Sequence, residues 1–209
     1  GLSLFLKETR KGEFMEHYFT NNTNIKTNEK LHDVIINETK LRFISDNGVF
    51  SKRGLDFGTR TLLETIPIGK IAGDVLDFGC GYGPIGIYVA LKTKSKVDMI
   101  DVNLRSLNLA KKNASLNNAN VNIFESDIYK NVTKKYNYII SNPPIRVGKK
   151  ILYEILFGAK EHLVSNGELW IVINKDQGAK SVVRDLEKAY DVKVVNKNKG
   201  FYIICARNN

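Results

Sequence analysis

The stretch SNPPIRVGKK, residues 141–150, contains the residue types needed to hold a nucleophilic amine. Pro143 and Pro144 cannot donate to a sheet, and a proline keeps the preceding residue out of the helical region, so Asn142 should lie in a stiff, extended loop. The Asn142 side-chain oxygen can accept one hydrogen of an exocyclic amine, and the Pro143 carbonyl can accept the other. Two such acceptors localise the nitrogen lone pair and aim it at an incoming group, so the stretch predicts group transfer to nitrogen.

A second candidate is DFGCGYG, residues 77–83, where a carboxylate is followed by glycines. The glycines are Gly79, Gly81 and Gly83, and the first two flank Cys80. They allow a tight turn and close approach of the backbone to a ligand. Asp77 places negative charge beside this turn, which suits a ligand with ammonium and sulfonium groups. These features favour S-adenosylmethionine as the cofactor.

The same region also raises NAD as an alternative cofactor. The glycines that spell G-x-G-x-x-G are Gly81, Gly83 and Gly86. Asp101 follows about 20 residues later, as the dinucleotide motif requires. In that motif, however, the first glycine directly follows the strand, and here that glycine is Gly79. Counting from Gly79 puts Pro84 in place of the third glycine, and Asp77 would face a pyrophosphate of the same charge.

Two further carboxylates follow predicted strands. Asp101 ends one strand and can accept hydrogen bonds from both hydroxyls of a ribose, and Val102 beside it belongs to the same predicted site. Asp127 follows the next strand and can accept from an adenine amino group, with Ile128 against the ring face. Because ligands bind outside the carboxyl ends of parallel strands, these residues should lie around one cofactor.

Alternating strand and helix patterns from position 74 predict the sheet that positions these residues. The predicted strands are 74–78, 96–100, 121–125, 136–141 and 167–174, and the predicted helices are 84–92, 103–118, 149–164 and 177–190. This alternation is typical of a doubly wound, mostly parallel α/β sheet. Two β-rich runs, 191–197 and 201–207, flank a turn-forming Asn-Lys-Gly and predict a C-terminal antiparallel hairpin. The result is a seven-stranded, Rossmann-like sheet.

These motifs together resemble the class I S-adenosylmethionine-dependent methyltransferases that modify exocyclic or amide nitrogens. With GVFSKRGLDFGTRTLL at 48–63, they look like the short, single-domain form of the small-subunit ribosomal RNA guanine-N2 methyltransferases. The resemblance covers most of residues 15–207. It implies that a guanine in ribosomal RNA is the substrate, and that ribosomal RNA or the small ribosomal subunit is the partner.

Ile145 is a departure from this family, in which an aromatic residue often follows the two prolines and stacks on the target base. Ile145 can still make apolar contact with the base, and the predicted catalytic loop consists of Asn142, Pro143, Pro144 and Ile145. Stacking on the base must then come from elsewhere or be weaker.

Positive charge supports a polyanionic partner, because the formal net charge of the chain is +10. The residues predicted to hold phosphates behind the catalytic loop are Arg146, Lys149 and Lys150. Others lie in the preceding segment, at Lys52, Arg53 and Arg60. Phe50, in the same segment, is predicted to cover the cofactor as an apolar lid.

Length and composition predict one domain in the 209 residues, with a small β-rich lead-in at 15–70 that caps the cofactor, and a methyltransferase core at 71–209. Residues 1–14 precede Met15, and Lys11-Gly12-Glu13 is the translation of a purine-rich ribosome-binding stretch, so we expect 1–14 to be an extension. No apolar run is long enough to cross a bilayer. The two cysteines predict neither a disulfide framework nor a metal cluster. We expect a cytoplasmic monomer without a metal.

Three alternatives share parts of this pattern. The same amine chemistry could act on adenine N6 in a nucleic acid or on a protein glutamine, and the glycine loop could belong to a non-catalytic nucleotide-binding module. The chain has no obvious room for a large DNA target-recognition domain, and a glutamine substrate would not require this much positive charge. The intact Asn142-Pro143-Pro144 argues against a module without activity.

Overall fold

The computed structural model describes residues 29–46 and 55–209 of the chain. The predicted extension at 1–14 lies outside the described residues, as do the predicted lid Phe50 and the predicted phosphate contacts Lys52 and Arg53. Within the described ranges the strands are β1 Lys30–Ile36, β2 Thr39–Ser45, β3 Asp74–Phe78, β4 Lys96–Asp101, β5 Asn122–Glu125, β6 Tyr136–Ser141, β7 Leu163–Asn174, β8 Asp191–Asn198 and β9 Phe201–Arg207. The α-helices there are α1 Phe57–Thr65, α2 Pro84–Lys92, α3 Leu104–Leu116, α4 Lys149–Gly158 and α5 Ala179–Leu186.

The main sheet has seven strands in the order β5-β4-β3-β6-β7-β9-β8. Strands β3 to β7 are parallel to one another, whereas β9 runs antiparallel between β7 and β8. The predicted mostly parallel sheet with a C-terminal antiparallel hairpin is therefore confirmed. Short local signals suffice here, because apolar runs of five to eight residues and the intervening turn residues specify such strands.

The chain reverses direction across the sheet between β3 and β6, and this is the point where an open α/β sheet binds its ligand. The last residues of the two strands, Phe78 and Ser141, are in register. Ser141 Oγ also donates to the Phe78 carbonyl oxygen at 2.8 Å. The DFGCGYG and NPP stretches therefore leave neighbouring strands at the same level.

Several predicted boundaries are wrong, and the helix predicted over 177–190 is the shorter Ala179–Leu186. The helix predicted over 149–164 ends at Gly158, and after a 3₁₀ turn β7 begins at Leu163 rather than at 167. The Asn208 side chain donates to the carbonyl oxygens of Leu163 at 3.1 Å and Val164 at 3.2 Å. This contact ties the start of β7 to residues about 45 positions away, so no local pattern could indicate it.

The small β-rich lead-in contains the antiparallel hairpin β1–β2, which packs against α3. Its link to the main sheet passes through Asn113, which is fully buried. Asn113 Oδ1 accepts from the Ile44 N–H at 2.7 Å, and Nδ2 donates to the carbonyl oxygens of Ile44 at 2.9 Å and Tyr82 at 2.8 Å. Because Tyr82 belongs to the glycine loop, one side chain holds the hairpin, the helix and the loop together.

Candidate active site

The glycine loop between β3 and α2 is built on a buried carboxylate. Asp77 is 0% exposed, and its Oδ2 accepts from the Gly86 N–H at 2.8 Å. Its Oδ1 is buried without a hydrogen-bond partner among the described residues. Burial raises the pKa of Asp77 to about 8, with the Gly86 hydrogen bond opposing this shift and the charge of Asp101 adding to it. Asp77 thus lies beneath the loop and anchors the N-terminus of α2.

Gly79 and Gly81 leave space above this carboxylate. Both have left-handed backbones, with φ of 68° and 56°, which side chains rarely tolerate. A Cβ added at either position would meet no atom within 4 Å in the described part of the chain. The loop therefore presents bare backbone to open space, where a ligand can lie close to the chain.

Cys80, between these glycines, points the other way. Its side chain is buried in the core, and burial raises the pKa of the Cys80 thiol well above its usual value. The Cys80 N–H donates to the Ile100 carbonyl oxygen at 2.8 Å. Cys80 was predicted to contact the cofactor. Because its thiol packs into the core, only its backbone lies on the loop surface.

Asp101, at the end of β4, closes the other side of the loop. Its Oδ2 accepts from the Gly81 N–H at 2.8 Å and its Oδ1 from the Asn103 N–H at 2.9 Å. Each carboxylate oxygen has a second lone pair, so both can also accept from a ligand hydroxyl. Val102 follows with 61% of its surface exposed. The structure therefore places the predicted ribose acceptor directly beside the predicted glycine loop.

The third strand end, after β5, has a strained backbone. Ile128 has a φ of 54°, a conformation that is unfavourable for a β-branched side chain. Ser126 holds it there, since Ser126 Oγ donates to the Ile128 carbonyl oxygen at 2.9 Å and accepts from the Asn131 N–H at 3.0 Å. The Ser126 N–H donates to the Asp101 carbonyl oxygen at 3.1 Å. Exposed Asp127 and half-buried Ile128 are thus fixed next to Asp101.

Asn142 follows β6 and is held by two residues of the lead-in. Its Nδ2 donates to Asp56 Oδ2 at 3.2 Å and to Thr59 Oγ1 at 3.0 Å. An ionised carboxylate can only accept, so the amide nitrogen must face Asp56 and the amide oxygen must face away from it. Behind it, Pro143 is buried and Pro144 is exposed.

Asp56 and Thr59 are functional candidates that sequence reasoning missed. Asp56 is the N-cap of α1, because its Oδ2 also accepts from the Thr59 N–H at 3.1 Å. An aspartate before a helical pattern is a recognisable capping signal. Nothing in that local signal indicates that the same carboxylate meets Asn142, since the two residues are 86 positions apart.

The predicted phosphate contacts divide into two groups. Arg146, Lys149 and Lys150 are all exposed directly behind the NPP stretch, in the 3₁₀ turn that starts at Ile145 and at the start of α4. Arg60 is instead engaged elsewhere, because its Nη1 donates to the Ile35 carbonyl oxygen at 2.7 Å and ties α1 to β1. Half-buried Ile145 packs against the core on one side of the sheet.

The described residues form no metal site, no disulfide and no membrane-spanning helix. No group of three or more His, Cys, Asp and Glu side chains there could hold a metal ion. Cys80 and Cys205 are both free and buried. Of the helices in this part of the chain, none is both long and apolar enough to cross a membrane.

The geometry of a glycine loop, two carboxylates and an oriented asparagine at one sheet edge agrees with a match to a known family. The family model described as Methyltransferase small domain matches residues 40–205. The chain belongs to the methyltransferase small domain family. The prediction of a class I S-adenosylmethionine-dependent methyltransferase is therefore confirmed at the level of the family.

Curated relatives of this methyltransferase include proteins of two different lengths. YbxB of Bacillus subtilis (strain 168) is 44% identical over 197 residues, which cover 92% of this chain and 98% of that protein. Ribosomal RNA small subunit methyltransferase C of Psychromonas ingrahamii is 36% identical over 151 residues, which cover 70% of this chain and 43% of that protein. The methyltransferase described here thus matches less than half the length of that second relative.

A solved structure supports the fold of this methyltransferase. The T. thermophilus 16S rRNA N2 G1207 methyltransferase (RsmC), solved in complex with AdoMet and guanosine, superposes with a TM-score of 0.78 at 22% sequence identity. The superposition covers 87% of this chain and 51% of that chain. The predicted Rossmann-like methyltransferase fold is confirmed by this likeness.

Proposed function

We propose that this methyltransferase transfers a methyl group from S-adenosylmethionine to the exocyclic N2 amine of a guanine in small-subunit ribosomal RNA. The observation that carries the proposal is the orientation of Asn142, whose amide nitrogen is held by Asp56 and Thr59. That orientation leaves a carbonyl oxygen to receive an amine hydrogen. An amide that presents its oxygen suits an amine substrate and would not suit a carbonyl or phosphate oxygen.

The residues around the glycine loop fit the cofactor. The bare backbone of Gly79 and Gly81 can lie against its methionine part, and Asp77 supports the loop from beneath by accepting from the Gly86 N–H. Asp101 would hold the ribose hydroxyls, with Asp127 and Ile128 at the adenine. S-adenosylmethionine bound there supplies an electrophilic methyl group on a sulfonium.

The target amine requires activation, because the lone pair of guanine N2 is delocalised into the ring. Asn142 Oδ1 accepts one hydrogen of this amine and the Pro143 carbonyl accepts the other, which localises the lone pair and directs it toward the methyl group. As the new nitrogen–carbon bond forms, the sulfur–carbon bond breaks and its electron pair stays on sulfur. The nitrogen then carries a positive charge and loses a proton to water, so no strong base is needed.

Ribosomal RNA is proposed as the substrate on two grounds. Relatives that are 34–42% identical over parts of this chain are called ribosomal RNA small subunit methyltransferase C in several bacteria. The exposed Arg146, Lys149 and Lys150 directly behind the NPP stretch are suited to phosphates on either side of a nucleotide. Both grounds agree with a polyanionic substrate that presents one base to Asn142.

The test is methylation of small-subunit ribosomal RNA by the purified protein, followed by digestion to nucleosides and mass spectrometry. We expect N2-methylguanosine at a defined position, from naked RNA or from the assembled subunit, and the two substrates are assayed in parallel. Methyl label on adenine N6, or on a glutamine of a ribosomal protein, would replace this proposal with an alternative of the same chemistry. If the protein transfers a methyl group to none of these acceptors, the result would support a non-catalytic nucleotide-binding module.

A further inference from the structure

We propose that an aromatic and basic surface beside the active site stacks an unpaired base of the RNA, next to the target nucleotide. This surface, the Phe57 platform, consists of Phe57, Lys199 and Phe201. The inference deepens the proposed function and rests on it, since it names how the same enzyme holds the RNA. It assigns to the C-terminal hairpin a role that charge along the sequence does not indicate.

Sheet topology brings the platform to the active-site edge. Phe201, the first residue of β9, pairs with Asn174, the last residue of β7. Because β9 is antiparallel, its start lies at the carboxyl end of the parallel strands, where β6 delivers Asn142. The Lys175 N–H donates to the Gly200 carbonyl oxygen at 2.7 Å and fixes the tip of the β8–β9 hairpin there.

Helix geometry directs Phe57 to the rim of the site instead of under the target amine. Asp56 and Thr59 contact Asn142, whereas Phe57 lies between them in sequence at the first position of α1. Residues two positions apart on a helix point about 200° from one another, so Phe57 faces away from Thr59. Its ring centroid lies 5.8 Å from that of Phe201, at the hairpin tip. A base on this surface therefore neighbours the methylated one.

The platform has the chemistry of a base-stacking site. Phe57 keeps 37% of its surface exposed, and the Lys199 Nζ lies 5.2 Å from its ring centroid. Every nucleobase has a π-face that can stack on such a ring, and an adjacent cation can hold the phosphate of the same nucleotide. Lys175 is also exposed at the hairpin tip, next to the exposed Asp176.

Close packing keeps the platform rigid. Gly58 allows α1 to approach Phe201 so closely that a Cβ at position 58 would lie 3.0 Å from the Phe201 ring. A ring that is held in place loses little conformational entropy when a base stacks on it. The platform thus offers an aromatic ring to a neighbouring base, whereas Ile145, an aliphatic residue half-buried behind Pro144, offers none to the target base.

Kinetics of position 57 variants test the platform. Phe57→Ala should raise KM for RNA by about tenfold, because one base–aromatic contact is lost. Phe57→Tyr keeps an aromatic ring and should have the wild-type KM. The affinity for S-adenosylhomocysteine should not change in either variant. The matched control is Leu91→Ala, an apolar residue of similar exposure, 38%, at the far end of α2. A wild-type KM in Phe57→Ala, or the same rise in Leu91→Ala, would overturn the platform.

Fluorescence tests stacking directly. The chain has a single tryptophan, Trp170, so Phe57→Trp in a Trp170→Phe background places the only indole on the platform. A single-stranded oligoribonucleotide that binds should quench this indole, and Leu91→Trp in the same background should stay bright. Binding without quenching would overturn the inference, provided that the melting temperature shows both variants to be folded.

Lys199→Ala separates the phosphate contact from the ring. Lys199→Ala should weaken RNA binding and reduce the slope of log affinity against log salt by about one unit. The control Lys94→Ala, near the amino-terminal end of β4, should change neither. If the wild-type enzyme methylates guanine and all platform variants behave like wild type, the platform is overturned and the proposed function stands. If the wild-type enzyme transfers no methyl group to guanine, the proposed function is contradicted. The methylation assay of the wild-type enzyme measures this without any variant.

Discussion

Asn142 Nδ2 lies 3.2 Å from Asp56 Oδ2, so the residue that should carry the chemistry is oriented by the cap of a helix in the lead-in. Asp56 Oδ2 accepts from both Asn142 and the Thr59 N–H. An acceptor-only group at this place removes the ambiguity of an amide, which could otherwise turn and present its nitrogen to the substrate. The helix cap and the active site therefore share one carboxylate.

Asp56→Asn should separate these two roles. Asparagine is a good N-cap, so the melting temperature should change little. It can present either nitrogen or oxygen to Asn142, and loss of the fixed orientation should lower kcat about tenfold, the effect of about one hydrogen bond. KM for S-adenosylmethionine should stay the same. Asp33→Asn, an exposed carboxylate in β1, is the control, and an unchanged kcat in Asp56→Asn would show that the cap is only structural.

Asn142→Ala should remove catalysis while preserving the cofactor site. Because it deletes an acceptor used in the transition state, methyl transfer should fall by about 100-fold or more. Calorimetry should give a nearly unchanged affinity for S-adenosylhomocysteine. Asn122→Ala, at an exposed position on the edge strand β5, should behave like wild type. Near-normal turnover in Asn142→Ala would mean that the NPP stretch is a structural turn.

Asp101→Ala should act on cofactor binding. The carboxylate supports the Gly81 N–H and is placed for the ribose, so its removal should weaken a micromolar-range Kd at least tenfold. Titration calorimetry with S-adenosylmethionine and its demethylated product measures this loss. The same titration with NAD is the control for cofactor class, and tighter binding of NAD than of either would contradict the assignment.

Asp77 should make stability fall as pH rises. Burial raises its pKa from the ordinary 3.8 to about 8, so between these values the folded protein keeps a proton that the unfolded chain has released. The unfolded state then binds fewer protons, and the free energy of unfolding decreases with pH across this window. Asp77→Asn lacks this loss, so its free energy of unfolding relative to wild type should grow from pH 5 to pH 8. Urea unfolding at both pH values checks it, and an equal difference at both would contradict the buried carboxyl.

Lys149 and Lys150 should contribute to RNA affinity through charge alone. If both neutralise phosphates, the double alanine variant should flatten the slope of log affinity against log salt by roughly two units. The choice of nucleotide and the affinity for S-adenosylmethionine should survive, since phosphate contacts position whereas base contacts specify. The matched control is the double alanine variant of Lys92 and Lys94, which are exposed near the amino-terminal end of β4, away from the site. A slope that does not change would assign Lys149 and Lys150 to a solvated helix face.

The strands that carry the site could be predicted from the sequence alone. The strands at 74–78, 136–141 and 201–207 have the predicted bounds, because strand patterns and turn residues act over a few neighbours. The glycine loop and the Asn-Pro-Pro stretch were recognisable for the same reason, since their chemistry is local. Strand alternation then implies that their ends meet at one edge of the sheet, and Phe78 and Ser141 are indeed in register.

Only the tertiary structure decided what surrounds these motifs. The contact of Asp56 with Asn142, the burial of Asp77 and the arrival of Phe201 beside Phe57 depend on residues far apart in sequence. Burial and long-range hydrogen bonds arise from the packing of whole elements, so a local pattern holds no information about them. The residue types therefore predicted the proposed reaction, whereas the packing of the lead-in and the hairpin against the sheet determined the orientation of the groups proposed to perform it.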